Sequence, residues 1–295
     1  MPEYDVNYRE NVVATLKHEN PSYLPRGEIF FTRTFLNVIF PEFIDDYIEQ
    51  LASAASLLDL SVVGVDLNDE WSRSLLSQGK YSRLKKYFTV GYINGPVLRS
   101  IERLGFKQAM LGIKKDRGTV FRITSDILDD IRDICSLAKK NKISGILLPD
   151  DIAGNNGLFF SNEDFDAAIL PLYRQIASEI KGNDLYAFFH SDGDTHLIIE
   201  PLIKAGFDCI HPVDSQAGLD LYELKYIHKN MISFMGHIDI MTWDDVRINQ
   251  EIDKAEKSFN EGGLIIGSTC GLSMKTVSKK LGALYPRLHK WSRGV

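Results

Sequence analysis

His190 and Asp192 stand two residues apart, in the run Phe189-His190-Ser191-Asp192-Gly193-Asp194. A neutral imidazole and a carboxylate are both ligands for divalent metal ions, and together they also make an acid/base pair. The preceding run, Leu185-Tyr186-Ala187-Phe188-Phe189, has the character of a buried strand. Alternate side chains of a strand share a face, so His190 and Asp192 are expected on one side of a strand end. Cys270, in Ser268-Thr269-Cys270-Gly271, ends another apolar run and adds a thiol. Three protein ligands with one open position is the arrangement of a catalytic zinc site. Such a site can deprotonate a bound thiol and present it to an electrophilic methyl group. The same residues also fit ordinary roles: a hydrogen-bonded histidine, a helix cap and an inert thiol.

Positioning these groups requires strands that end at a common face. Apolar runs of strand length recur at residues 27–31, 61–66, 88–93, 143–149, 185–190, 208–213, 232–238 and 264–269, with a weaker run at 107–113 as an extra strand or an excursion. They are continuous rather than alternating, as parallel strands covered on both faces require. Between them lie stretches of helical period. Ser161-Asn162-Glu163-Asp164 reads as a capping box opening a helix toward Lys181, with a kink at Pro171. Further helices are expected at 126–140, 194–205, 219–229, 243–260 and 274–291, with Gly262-Gly263 closing the penultimate one. About eight strand–helix alternations predict an α/β fold, a single (β/α)8 TIM barrel. A doubly wound open sheet is the second choice, against which no Gly-x-Gly-x-x-Gly follows the first strand. The whole chain, 1–295, reads as one barrel domain, with 1–25 as an N-terminal helical extension.

Polar side chains gather at the carboxyl ends of these runs, the end where such barrels keep their chemistry. They are Glu28, Asp66, Asp150 and Asp151, His190 and Asp192, His211 and Asp214, His237 and Asp239, and Cys270. His211 and His237 are also alternative ligands or proton donors. The 295 residues are 44% hydrophobic and 25% charged, an ordinary globular composition. A net charge of −6 gives no basic field for nucleic acid. No apolar run reaches the roughly 20 residues of a membrane span, and the polar N-terminus is unlike a signal peptide, so a cytoplasmic location is expected. Cys135 and Cys209 lie in apolar stretches and are expected as buried structural thiols.

Several segments, in order and spacing, resemble the uroporphyrinogen decarboxylase superfamily. They include Pro25-Arg26-Gly27-Glu28, Pro149-Asp150-Asp151-Ile152-Ala153-Gly154, Phe189-His190-Ser191-Asp192-Gly193, Ala205-Gly206-Phe207-Asp208, Met235-Gly236-His237-Ile238-Asp239 and Cys270-Gly271. The resemblance runs from about Pro25 to Trp291 and implies a (β/α)8 barrel. True uroporphyrinogen decarboxylases carry an arginine-rich signature near the N-terminus. Here the corresponding stretch is Gly27-Glu28-Ile29-Phe30-Phe31-Thr32-Arg33-Thr34, in which the arginine pair is missing and Glu28 adds negative charge. The other branch comprises corrinoid-dependent methyltransferases, including methylcobalamin:coenzyme M methyltransferases. Its zinc motif is His-x-Cys followed by a distant cysteine. His190 and Cys270 match the outer positions, and Asp192 replaces the middle cysteine. A carboxylate makes the site harder and favours oxygen or nitrogen ligands over thiols.

This likeness implies a methyltransferase that moves a methyl group between a small molecule and cobalamin carried on a separate corrinoid protein. Zinc would sit on His190, Asp192 and Cys270. Asp151, Asp214, His237 and Asp239 would line the substrate pocket, and Asp66 or Glu28 would serve as general acid or base. The alternatives are a metal-free decarboxylase or lyase using the same acidic mouth, and a non-catalytic barrel that binds a corrinoid protein. Relatives of this kind also suggest a homodimer.

Overall fold

The computed structural model describes residues 7–116, 118–273 and 284–285. Eight parallel strands form one sheet in chain order: β1 (Gly27–Glu28), β2 (Val62–Asp66), β3 (Phe88–Tyr92), β4 (Ile143–Pro149), β5 (Tyr186–His190), β6 (Cys209–His211), β7 (Ser233–Ile238) and β8 (Leu264–Ser268). Parallel bridges Arg26–Ile266 and Phe31–Leu272 join the first and last strands, giving the expected (β/α)8 barrel. Gly64 makes the neighbouring approach of β2 to β1 possible. A Cβ there would lie 2.0 Å from the carbonyl oxygen of Ile29, so only glycine lets β2 approach so closely.

Two apolar layers explain why the strands are apolar on both faces. Ile29, Val62, Phe88, Val90, Leu147, Phe188, Cys209, Met235 and Ile265 fill the barrel. Their outward neighbours, such as Val63, Ile146, Phe189 and Phe234, pack in the larger cluster with the helices. Cys135 and Cys209 are buried within these layers, as expected. The helix Tyr8–Lys17 sends Val12 and Leu16 into the inner cluster and closes the amino-terminal end of the barrel. No described helix is long and apolar enough to cross a membrane.

The run 107–113 is helical, not a strand. It belongs to Phe106–Lys115, the second of four helices between β3 and β4. Gly105, at φ 79°, breaks this helix from Pro96–Leu104. A short apolar run cannot by itself distinguish a strand from a half-buried helix. The Ser161 hydroxyl accepts from Asp164 N, as the capping box requires. The chain then takes a π turn over Phe165–Ile169 before the helix Leu170–Gly182, which places Pro171 in a first turn where its missing N–H is harmless. The penultimate helix ends at Ser258. Gly262 and Gly263 adopt φ 102° and 90° in the turn that follows rather than at its cap. The helix expected at 274–291 lies outside the described residues apart from Leu284 and Tyr285.

Candidate active site at the carboxyl end of the barrel

Inward-facing positions of β5 run Tyr186, Phe188, His190, and those of β6 run Cys209, His211. The polar residues therefore continue the barrel's inner rows at its carboxyl end. Phe30 packs against the histidines, its ring edge-on to His190, His211 and Tyr92. His190 Nδ1 and His211 Nδ1 are 2.8 Å apart. Burial lowers the pKa of His190 against the opposing pull of Asp192 and Asp151. His211 is held well below the ordinary histidine value by burial and by its neighbour. Both rings are thus neutral at pH 7, the state in which imidazole binds metals.

The Nε2 edge of His190 faces carboxylates. Asp151 Oδ1 lies 3.5 Å from it, and donor atoms of Asp151, His190 and Asp192 all fall within 4.8 Å of one another. This is the only such group of metal-ligating side chains among the described residues. His190 is buried, Asp151 is partly exposed and Asp192 is exposed, so the cluster opens toward solvent on its acidic side. Desolvation of its carboxyl among the surrounding loops raises the pKa of Asp192, although the residue reaches solvent, with further upward pressure from Asp151 and Asp214. That crowding of negative charge is what a bound cation relieves.

Loop geometry sets the cluster. Asp151 Oδ1 accepts the main-chain N–H of Asp192 at 3.2 Å, which ties the loop after β4 to the loop after β5. Gly193 turns at φ 86°, with Asp214 accepting its N–H at 3.3 Å. A Cβ on Gly193 would come within 2.8 Å of the Ala153 and Gly154 backbone, part of the hairpin Ala153–Gly154/Gly157–Leu158. The neighbouring Asp194 N donates to Gly154 O at 2.9 Å.

Of the residues expected in the site, His190, Asp192 and Asp151 come together. Asp151, expected against substrate, occupies the third position of the cluster, and Cys270 is not part of it. The Cys270 thiol, pushed up to about 11 by burial and then by Glu28, contacts the Gly271 carbonyl at 3.6 Å. Asp214 spends its oxygens on the N–H groups of Gly193 and Gln216. Asp239 accepts from Gln216 Nε2, Thr242 Oγ1 and the main chain of Met241 and Thr242. Asp66 Oδ1 holds Asn68 through its main-chain N–H at 2.9 Å and its side-chain amide at 2.8 Å.

His237 is turned away from the barrel interior by positive φ at both Gly236 and itself. Its Nε2 meets Glu251 at 3.1 Å, and its ring packs against Trp243 behind the sheet. Glu28 is wholly buried and takes hydrogen bonds from Ser268 N, Ser268 Oγ and the Tyr285 hydroxyl. The pairing of His211 with His190 was not legible as a contact. Parity along β5 and β6 is the signal that finds it, because both residues continue inward rows.

A family model described as uroporphyrinogen decarboxylase (URO-D) matches residues 104–291. The chain belongs to the URO-D family. Among solved structures, this URO-D chain is similar to a methyltransferase from Methanosarcina mazei, with TM-score 0.75 and 14% identity over 97% of this chain and 99% of that one. It is more distantly similar to a sugar phosphate isomerase/epimerase from Parabacteroides distasonis, with TM-score 0.53 and 10% identity over 91% of this chain and 96% of that one. An AP endonuclease, family 2, from Brucella melitensis follows, with TM-score 0.52 and 11% identity over 88% and 99% of the two chains. At these identities the likeness is one of fold. No curated protein matches the sequence.

Proposed function

We propose that this URO-D barrel is a methyltransferase whose mouth holds a divalent cation, zinc being the natural occupant, on Asp151, His190 and Asp192. The observation that carries the reading is the convergence of two carboxylates on the Nε2 edge of a neutral, buried imidazole. One nitrogen and two oxygens are acceptable zinc donors, and the exposed side of the cluster leaves a position for substrate. The methyl group passes between a small molecule and cobalamin on a separate corrinoid protein. The Methanosarcina neighbour's name and the shared fold support this class over the other chemistries of the barrel. A bound cation would supply Lewis-acid stabilisation of the electron pair left on the donor's oxygen or nitrogen as the methyl group departs. This donor set is harder than one containing two thiolates, so an ether- or amine-type methyl donor fits it better than a thiol.

The chain's own residues supply placement. Asp151 orients the Asp192 loop, and Gly193 keeps that loop seated on the hairpin. Phe30 packs edge-on against both histidines and against Tyr92, giving the pair an apolar flank. Cys270, at the same end of the barrel, is left to contact substrate.

A second reading is a metal-free lyase in which His190 and Asp151, 3.5 Å apart, form an acid/base pair. The deciding experiment incubates zinc-loaded and chelator-treated protein with reduced free cobalamin and a panel of methyl ethers and methylamines. Methyl transfer that needs zinc supports the proposal. Transfer unaffected by complete metal removal contradicts the metal centre, and absence of transfer from every donor, with or without zinc, contradicts the methyltransferase and favours the lyase.

A further inference from the structure

The ladder between β4 and β5 continues past the strand ends with altered partners. Asp150 N donates to His190 O at 2.8 Å, keeping the register in which Pro149 faces His190. In a regular parallel ladder the next two bonds would run from Asp192 N to Asp150 O and from Ile152 N to Asp192 O. Neither forms. Asp192 N donates to the Asp151 carboxylate at 3.2 Å, and Ile152 N donates to the Ser191 hydroxyl at 3.1 Å. That hydroxyl in turn donates to Asp192 O at 2.9 Å. A hydroxyl accepts and donates at once, so Ser191 Oγ stands inside what would otherwise be the direct bond from Ile152 N to Asp192 O.

We infer that Ser191 is a positioning residue: its hydroxyl, spliced into the ladder, holds the loops after β4 and β5 at the spacing at which Asp151, His190 and Asp192 converge. A direct bond would draw the Ile152 nitrogen and the Asp192 oxygen to about 2.9 Å, and the interposed oxygen keeps them farther apart. Both loops are braced from behind. The Asp150 carboxylate accepts from Val97 N, Leu98 N and the Tyr173 hydroxyl, which fixes the loop after β4. Gly193 abuts the Ala153–Gly154 backbone and Asp194 N donates to Gly154 O, which fixes the loop after β5. These braces keep the gap from closing when the hydroxyl is removed. Ser191 and Ile152 are 1% and 0% exposed, so bulk water does not take its place. The loss therefore leaves the Ile152 N–H buried and unpaired, a costly state for a main-chain donor. In His190-Ser191-Asp192 the middle residue thus belongs to the arrangement as much as the two that flank it. The consequence for a cation rests on the metal-centre reading above, but the spacing role does not.

Amide hydrogen exchange of the metal-free protein, read residue by residue by NMR, tests the spacing, and titration with Zn2+ tests its consequence. In the unsubstituted protein the Ile152 amide is expected to exchange slowly. Ser191→Ala is expected to speed that exchange roughly tenfold and to weaken Zn2+ binding by roughly 10–100-fold. Ser191→Thr retains a hydroxyl and is expected to keep both near the unsubstituted values. An Ile152 amide that exchanges as fast as an exposed loop amide in the unsubstituted protein overturns the inference even if neither variant folds. Unchanged Ile152 exchange in a folded Ser191→Ala protein also overturns it, as does faster exchange with unchanged Zn2+ affinity. The expected exchange in proteins that all lack Zn2+ affinity would uphold the spacing and refute the metal centre.

Discussion

The Asp151 carboxylate does two jobs with one oxygen. Its Oδ1 lies 3.5 Å from Nε2 of His190 and accepts the main-chain N–H of Asp192 at 3.2 Å. A ligand that also pins the neighbouring ligand's loop should affect metal binding twice, through charge and through placement. Asp151→Asn keeps an oxygen for the Asp192 N–H but loses the charge, whereas Asp151→Ala loses both. Zn2+ affinity, measured by competition with a chromophoric chelator, should fall about tenfold or more in Asp151→Asn and further in Asp151→Ala. Equal affinity in all three proteins would remove Asp151 from the centre.

Gly193 ties this cluster to the hairpin after β4. Its φ of 86° and the 2.8 Å clearance to the Ala153 and Gly154 backbone leave no place for a side chain. Gly193→Ala should therefore shift Asp192 while the barrel stays intact. Loss of Zn2+ binding with little change in far-UV circular dichroism is the expected pair of results. Retained binding would show that the loop has room that the distances deny.

Glu28 gives stability a pH dependence. Burial raises its pKa from 4.5 to about 7 against three stabilising hydrogen bonds. Between these values the folded state holds a proton that the unfolded chain has released. The contribution is therefore fully present below the unfolded value and is lost as pH rises through about 7. Glu28→Gln should flatten the fall in unfolding free energy between about pH 5 and 8 by roughly 2–4 kcal/mol. Denaturant unfolding at the two pH values measures it, and an unaltered slope would contradict the assignment.

Asp150 anchors the helix Pro96–Leu104 from a distance. It accepts from Val97 N at 3.1 Å and from the Tyr173 hydroxyl at 2.7 Å. Tyr173→Phe removes one donor from a buried carboxyl and should cost roughly 1–3 kcal/mol, seen as a lowered Tm. An unchanged Tm would mean that the bond contributes nothing net.

The barrel was legible because parallel strands covered on both faces are apolar throughout, and Val62–Asp66 and Ile143–Pro149 stand out for that reason. The helix at Phe106–Lys115 was less legible, since its short apolar run fits either period. In the site, strand-end position found His190, Asp192 and Asp151, but it cannot tell an open carboxylate from one saturated by its own turn. Asp214 and Asp239 are of the second kind. Nor does position show that positive φ at Gly236 and His237 turns the His237 ring behind the sheet. Backbone conformation decides that, and composition does not record it.

Metal analysis after dialysis against Zn2+, on the unsubstituted protein and on His190→Ala, Asp192→Ala and Cys270→Ala, tests the proposed centre most directly. With Asp151, His190 and Asp192 as the ligands, the unsubstituted and Cys270→Ala proteins each retain about one Zn2+ per chain, as expected for a three-ligand site, and the other two variants retain almost none. Full retention in His190→Ala and Asp192→Ala, or no retention in any of the four, would contradict the metal centre. Loss in Cys270→Ala would mean that the thiol joins the metal.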